Sequence, residues 1–506
     1  MAAERLRLMR HAVVNNLAAP ASAVIGILLV PVMLGALGQD NYSLWIIATS
    51  LAGIVAASDL GLYWGICRVV AADPEGREAD HAAFVNSAGN IYAGIGLLGG
   101  MVLGLAGISA GRRLHLPPEA EGVAPQVFWL VGVSIFMERL GAFGSAVLAG
   151  LRRFGLINLV AGSVSVLWAA GVIVVLGSGG AVPAVAGWLL ATALAKGGVT
   201  LLLVARLAPR YQYRPGPVRW QAVRHHVSFA LSSLLVDSLG RLAWNCGPVL
   251  LGFFRGPDAA VPFYIAQKIP VAVSGMSWRA AEVIFPAASE SMNDGVTTRD
   301  TVRVGSRWVL ALALPFAVLS FVAAPAILKA WIGSPPPGAV AILRILAVLA
   351  VLDAMAVGPL HVLWGRGAIN AVLGTRVGQG LGVVALTVVL TSFMGAVGAA
   401  LGLLLPVSAA AIIYFVAASR LCGLPVRDLM ADTWRGLTLP AGVCAAGAAL
   451  LLQFKGPARM WVIGVLAASL LAYAAILFGV SGNADEKHFA RDALSPIVRL
   501  FGRAST

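Results

Sequence analysis

Long apolar runs alternate with short polar or Gly/Pro-rich breaks along almost the whole chain. One helical crossing of a bilayer takes ~20 apolar residues, so each run predicts a membrane span. The runs fall at about 12–37, 42–67, 83–110, 123–149, 154–177, 181–205, 227–254, 260–289, 308–332, 339–364, 368–392, 395–419, 437–453 and 460–480. The pattern predicts an all-α polytopic membrane protein with 14 spans, 12 being the alternative count. The first run follows Arg5, Arg7 and Arg10 as a signal peptide would. It is longer than an ordinary signal core, and the small residues Ala19 to Ala23 precede most of it, so it is read as an uncleaved span.

The largest interior break, 208–226, holds Tyr211, Arg214, Pro215, Pro217, Arg219 and Arg224 and follows the sixth run. It divides the first twelve spans into two pseudo-symmetric lobes of six, at 1–208 and 227–421, joined by a cytoplasmic connection at 209–226. Two extra helices (422–480) and a tail (481–506) follow. The tail interleaves Phe489, Leu494 and Val498 with Lys487, Arg491 and Arg499, a pattern suited to an amphipathic helix on an anionic leaflet, a partly disordered tail being the alternative.

The lobes echo one another weakly, as repeat-built transporters do. Leu34-Gly35 is followed by Asp40 and Tyr42, and Leu251-Gly252 by Asp258 and Tyr264.

Composition narrows the class. Of the 506 residues, 59% are hydrophobic and only 11% charged, with a mean hydropathy of +0.87. That leaves no room for a soluble catalytic domain. A net charge of +14 and a pI near 10.3 would suggest nucleic acid in a soluble protein, but the chain holds no long basic tract. Topology accounts for most of the charge, because Lys and Arg are retained on the cytoplasmic side. With both termini inside, the opposite loops carry Arg112, Arg113, Arg255, Lys329, Lys455 and Arg459, while most of the 36 Lys and Arg fall in cytoplasmic segments. Both termini are therefore expected on the cytoplasmic side. The four cysteines lack any C-x-x-C spacing and predict neither disulfide nor metal site; the adjacent His225 and His226 read as solvated loop.

Gly96, Gly100 and Gly104 form a G-x-x-x-G face in the third span, where close backbone approach replaces the missing hydrophobic drive between helices in lipid. Prolines 31, 248, 270, 315 and 359 fall within spans, where each removes a backbone hydrogen bond.

Ionisable residues inside spans are the strongest site signal, since each costs ~2.5 to 3.5 kcal/mol at a helix centre unless it faces a polar interior. The cations are Arg139, Lys196, Arg241, Lys268, Arg279, Arg344 and Arg376, and the acids Asp59, Glu138, Asp237, Glu282 and Asp353. Asp237 with Arg241, and Arg279 with Glu282, have the spacing of pairs on one helix face. The slight excess of cations suits a cavity for a polyanionic headgroup, with Arg139, Lys196, Arg241, Lys268 and Arg279 as binding candidates. Trp244 and Trp278 are candidates for stacking on sugar rings. Trp45, Trp129, Trp188 and Trp331 read equally well as interface anchors. Asp237 and Asp59 are candidates for coupling to a proton or sodium gradient. No catalytic residue, metal or cofactor is expected.

Pro31-Val32-Met33-Leu34-Gly35, Asn41-Tyr42-Ser43-Leu44-Trp45 and Ser58-Asp59-Leu60-Gly61-Leu62 resemble the N-terminal signature of bacterial polysaccharide transporters. These are the O-antigen (Wzx-type) flippases of the multidrug/oligosaccharidyl-lipid/polysaccharide (MOP) exporter superfamily. Phe263 to Ile269 and Phe285 to Ser289 are similar to the family's second-lobe hairpin. The resemblance implies two six-helix lobes, alternating access, and movement of an undecaprenyl-diphosphate-linked glycan to the outer leaflet. It also implies membrane lipids and other polysaccharide-assembly proteins as partners.

A peptidoglycan-precursor flippase has the same physics. A drug or organic-cation antiporter would place acids where this chain places an excess of cations. A membrane polymerase or ligase would carry a large outer loop, and the largest here, 111–122, is short.

Overall fold

The computed structural model describes residues 18–56, 62–75, 77–113, 116, 118–281, 295–453 and 459–481. Among them the chain is helical with no strand. The helices are α1 Ala18–Ala56, α2 Leu62–Ala72, α3 Ala79–Arg113, α4 Pro118–Gly150, α5 Phe154–Gly177, α6 Val182–Leu207, α7 Trp220–Arg255 and α8 Ala260–Ala281. They continue as α9 Gly295–Val322, α10 Ala324–Ile332, α11 Ala339–Gly365, α12 Ile369–Cys422, α13 Val426–Trp434, α14 Thr438–Gln453 and α15 Arg459–Ile476. Among the described residues, nine helices are long and apolar enough to cross a membrane, or ten if the bent pair α13 and α14 is taken as one span. Two of the nine are double. α1 breaks at Gly38 (φ 74°, ψ 172°) and α12 at Gly395 (φ 59°, ψ −136°), close to the predicted boundaries. The architecture is compatible with fourteen spans.

Three boundaries differ from the sequence reading. The ninth run is split at Ala323, because Pro325 opens α10 and cannot donate a hydrogen bond backwards. α7 already starts at Trp220, so the end of the expected 209–226 loop is helical and His225 and His226 stand on a helix. The charge there hides an inward position, Val223, which is 1% exposed. α13 carries two acids and an arginine in nine residues, too polar for a span, and went unnoticed. Asp59, Glu282, the motif Phe285 to Ser289 and the tail after 481 lie outside the described residues.

The chain forms two compact units, Met1–Lys268 with Ile369–Pro406, and Ile269–Ala368 with Val407–Thr506. In the first, α3 and α4 pack most extensively, and α4 also packs on α6. Gly100 and Gly132 meet backbone to backbone: a Cβ on Gly132 would lie 2.5 Å from the Gly100 carbonyl oxygen. Gly96 and Gly104 lie against Phe136 and Trp129 on the same helix, so the G-x-x-x-G stripe is the α3–α4 seam. In the second unit, α9 and α11 form the main pair and α14 packs on α15, around buried Leu310, Leu314, Ala350, Ala354, Cys444 and Tyr473.

The echo between hairpins has a structural counterpart. Gly38 and Gly256 adopt nearly the same backbone, φ 74° and ψ 172° against φ 89° and ψ 162°, a region essentially restricted to glycine. Each is followed two residues later by an aspartate, Asp40 or Asp258.

The segment after α6 is a strap laid on the first turns of α3. The Arg214 N–H donates to Asn86 Oδ1 (3.0 Å) and the Gly216 N–H to Asn90 Oδ1 (3.2 Å). Asn90 Nδ2 donates to the Arg214 carbonyl (3.1 Å), and the Arg219 N–H to Ser87 Oγ (3.1 Å). Before the strap, the Tyr211 hydroxyl donates to the Asp73 carbonyl at 2.5 Å, and burial pushes that phenol up to about 12. The Asp73 carboxylate is held below its ordinary range, first by the Glu78 N–H that donates to it. The double variant Asn86→Ala, Asn90→Ala is expected to raise amide exchange at Arg214 and Gly216 by roughly 3- to 10-fold each, at ~0.5 to 1.5 kcal/mol per hydrogen bond. Hydrogen-exchange mass spectrometry reads this directly; unchanged exchange would show that the side chains do not hold the strap.

Candidate functional site

A cavity of about 140 Å³ opens in the first unit between both arms of α1, α5 and α8. Its polar and aromatic lining is Tyr42, Trp45, Thr49, Trp168, Tyr264 and Lys268, with Leu29, Val30 and Met33 on the apolar side. Among the described residues, Lys268 is the only formally charged side chain lining the space, and no carboxylate lines it.

The geometry follows from helix periodicity. Tyr264 and Lys268 stand one turn apart on α8, and the ammonium donates to the Tyr264 hydroxyl at 2.6 Å, with Nζ 3.8 Å from the ring centroid. A lysine has three donors, so this bond leaves capacity for an acceptor in the cavity. Tyr42, on the second arm of α1, meets Tyr264 edge-on at 6.2 Å between centroids. Those are the two aromatics that follow the paired glycine turns. Trp45, one turn beyond Tyr42, stacks on Trp168 of α5 at 5.8 Å and 13°. Thr49 donates to the carbonyls of Trp45 and Ile46, so its hydroxyl proton is engaged by its own helix.

Among the described residues, Lys268 is the one sequence-selected binding candidate that lines this cavity. Arg139 is buried on α4, 7% exposed, and its Nη1 donates to the Ala56 carbonyl at 2.9 Å. It thereby ties α4 to α1. Lys196 is half-buried on α6, where its carbonyl accepts from Thr200 Oγ1 at 2.6 Å. Asp237 and Arg241 lie on α7, with side chains outside the described set. Trp244 is half-buried on α7, beside Asn245, whose amide crowds Gly53 of α1.

Trp278 and Arg279 belong to the second unit. Trp278 stands edge-on to His361 at 5.4 Å, and Arg279 is exposed. Three other intramembrane charges are locally bonded: Arg344 Nε donates to the Phe321 carbonyl (3.1 Å), Arg376 Nη1 to Gln379 Oε1 (2.9 Å), and Ser274 Oγ to Asp353.

Sequence reasoning missed Tyr42, Trp45, Trp168 and Tyr264 as a group. Trp45 is 5% exposed, enclosed rather than anchored at an interface. The signal that was present is the spacing Tyr42-x-x-Trp45 and Tyr264-x-x-x-Lys268 after matching glycine turns.

Comparison with known proteins agrees with this architecture. Residues 126–335 match the family model described as Polysaccharide biosynthesis protein. No curated protein sequence matches the chain. Among solved structures, the chain is similar to the lipid II flippase MurJ in an inward closed conformation, with a TM-score of 0.68 at 13% identity over 92% of this chain and 98% of that one. It is also similar to a multidrug resistance MATE family transporter of the MOP superfamily in an inward-facing conformation, with a TM-score of 0.57 at 18% identity over 81% and 99%. A Vibrio cholerae MATE transporter aligns with a TM-score of 0.56 at 16% identity over 82% and 97%.

The family match agrees with the resemblance to polysaccharide transporters read from the sequence, and the fold matched is that of flippases and transporters. The chain is a multi-pass membrane protein with the fold shared by MurJ and the MATE transporters, and over residues 126–335 it matches the family model described as Polysaccharide biosynthesis protein.

Proposed function

We propose that the chain flips a polyprenyl-diphosphate-linked oligosaccharide across the bacterial inner membrane by alternating access, for polysaccharide, O-antigen or exopolysaccharide assembly. The observation that carries this reading is the cavity walled by Tyr42, Trp45, Trp168 and Tyr264 with Lys268 as its formal charge. Aromatic faces offer broad apolar surfaces to sugar rings, and an ammonium suits phosphate oxygens. A cationic drug would need an acid in that place.

The volume sets a limit. At about 140 Å³ the cavity is below the ~300 to 1,000 Å³ that encloses a drug-sized ligand, so it grips one ring or one phosphate of the cargo at a time. The family match over 126–335 and the likeness to a lipid II flippase support the same reading. The proposal includes cytoplasmic termini, coupling to a proton or sodium gradient through Asp237 or Asp59, and assembly with other polysaccharide-synthesis proteins.

The test is reconstitution of the purified full chain in vesicles holding an undecaprenyl-diphosphate-linked oligosaccharide on both leaflets. The readout is the fraction of glycan open to an impermeant oxidant. Protein-containing vesicles should expose nearly all of it with time, and protein-free vesicles about half, with no glycosyl or phosphoryl transfer. Exposure fixed at the protein-free level, or any transferase turnover, overturns the proposal.

A further inference from the structure

At one corner of the second unit the ends of α9, α11 and α12 and the short helix α13 come together. Arg299 of α9 donates through Nε and Nη2 to the Cys422 carbonyl at 3.3 and 3.1 Å, closing the last turn of α12. Arg303, one turn on, pairs with Asp432 of α13 at 2.7 Å. Arg366 caps the end of α11 and lies with Arg299 and Arg303 within electrostatic reach of Cys422. Arg420, Arg427 and Arg435 add three exposed guanidiniums on and beside α12 and α13. Among the described side chains this corner thus holds six arginines and, on α13, two carboxylates, Asp428 and Asp432, the second held by Arg303. Arg299 and Arg303 join the helices, and among the described side chains Arg420, Arg427 and Arg435 leave an excess of positive charge.

The apolar residues around this charge decide what it attracts. α13 seals Leu429 and Thr433 against the core, both 0% exposed, and turns Met430 outward at 39% exposure. Leu421 and Leu439, flanking α13 in sequence, are exposed at 39% and 54%. α13 is bent 52° from α14, and Trp434, at its end, packs half-buried against the core. A short helix angled away from a span, with cations, exposed aliphatic side chains and a tryptophan, has the make-up of a segment at the headgroup level of a bilayer. A soluble anion would need the arginines and gain nothing from Leu421, Met430 and Leu439. An anionic phospholipid uses both.

We propose that this corner, formed by Arg366, Arg420, Arg427 and Arg435 around α13, binds the headgroup of an anionic phospholipid whose acyl chains lie along Leu421, Met430 and Leu439. The assignment is independent of the cargo proposed above. It makes the bound lipid a resident of the protein, clamped where four elements of the second unit meet.

The test uses the full chain in phosphatidylcholine nanodiscs containing a low fraction of brominated phosphatidylglycerol or brominated phosphatidylcholine. The Trp434 signal is obtained as the difference between the wild type and Trp434→Phe. At about fivefold in local lipid concentration per arginine, phosphatidylglycerol should quench that signal at least ~5-fold more strongly than phosphatidylcholine. The preference should fall severalfold in Arg427→Gln and in Arg435→Gln, exposed positions whose exchange leaves packing intact, and fall further in the double variant. It should survive in Arg427→Lys, Arg435→Lys. Equal quenching by the two lipids in the wild type, or an undiminished preference in the double glutamine variant, overturns the proposal. So does stronger quenching by a brominated polyprenyl-diphosphate glycan than by phosphatidylglycerol at equal fraction, because the corner would then be a cargo site.

Discussion

Gly100→Leu is expected to leave little folded protein in the membrane, and the small amount that survives detergent extraction should unfold well below the wild type. The cause is local and has no soft partner. Gly100 and Gly132 touch through their backbones across the α3–α4 seam, with an added Cβ at either position meeting the other residue's carbonyl group. Overpacking a core that can shift side chains costs ~1 to 3 kcal/mol, but here a whole helix must move. In lipid the separated faces gain no hydrophobic restoring force, because acyl chains are as apolar as the side chains they would replace. A loss of ~3 kcal/mol or more is a large share of a total stability of ~5 to 15 kcal/mol. Gly94→Leu on the same helix is the control, since nothing stands within 4 Å of a Cβ there. Thermal unfolding in detergent reads both; a Gly100→Leu midpoint equal to that of Gly94→Leu would mean that the seam is not held by close backbone approach.

Lys268→Glu should abolish transport in the vesicle assay while leaving thermal unfolding close to that of the wild type. Lys268→Ala removes a hydrogen bond from a charged donor, worth ~1.5 to 3 kcal/mol, and should slow transport by roughly 10- to 100-fold. Reversal adds repulsion of the phosphate and should exceed that. Lys268→Arg keeps the charge but changes a point donor into a planar fork, so partial activity is expected. Tyr264→Phe deletes the hydroxyl that positions the ammonium at 2.6 Å and should cost less than the loss of the charge. Transport by Lys268→Glu within twofold of the wild type would remove Lys268 from the substrate path.

Much of the fold was legible because membrane spans depend on local composition. The breaks at Gly38 and Gly395 lie where the apolar runs stop, and the Gly96, Gly100 and Gly104 stripe marks a seam without naming its partner. Elements whose polarity and position serve different ends were harder. α13 is too short and charged to register as a span, and Val223 is hidden among arginines and histidines. The site was less legible still. Periodicity places Lys268 one turn from Tyr264, but nothing local joins Trp45 to Trp168, more than a hundred residues away. Intramembrane charge was an uneven guide to burial, since Arg139, Arg376 and Asp353 are buried while Arg279 is exposed, and it did not show that Arg139 donates to a carbonyl of α1.

The paired turns at Gly38 and Gly256 place two kinds of irreplaceable glycine in one chain. Gly100 excludes side chains for want of room, so a smaller neighbour or a wider seam would readmit them. Nothing stands within 4 Å of a Cβ at Gly38 or Gly256, and there the handedness of the backbone is the obstacle. No second-site change in a neighbouring side chain can relieve it. The two hairpins that bring Tyr42 and Tyr264 together are therefore fixed by the chirality of the amino acids themselves, a constraint the rest of the sequence can neither supply nor repair.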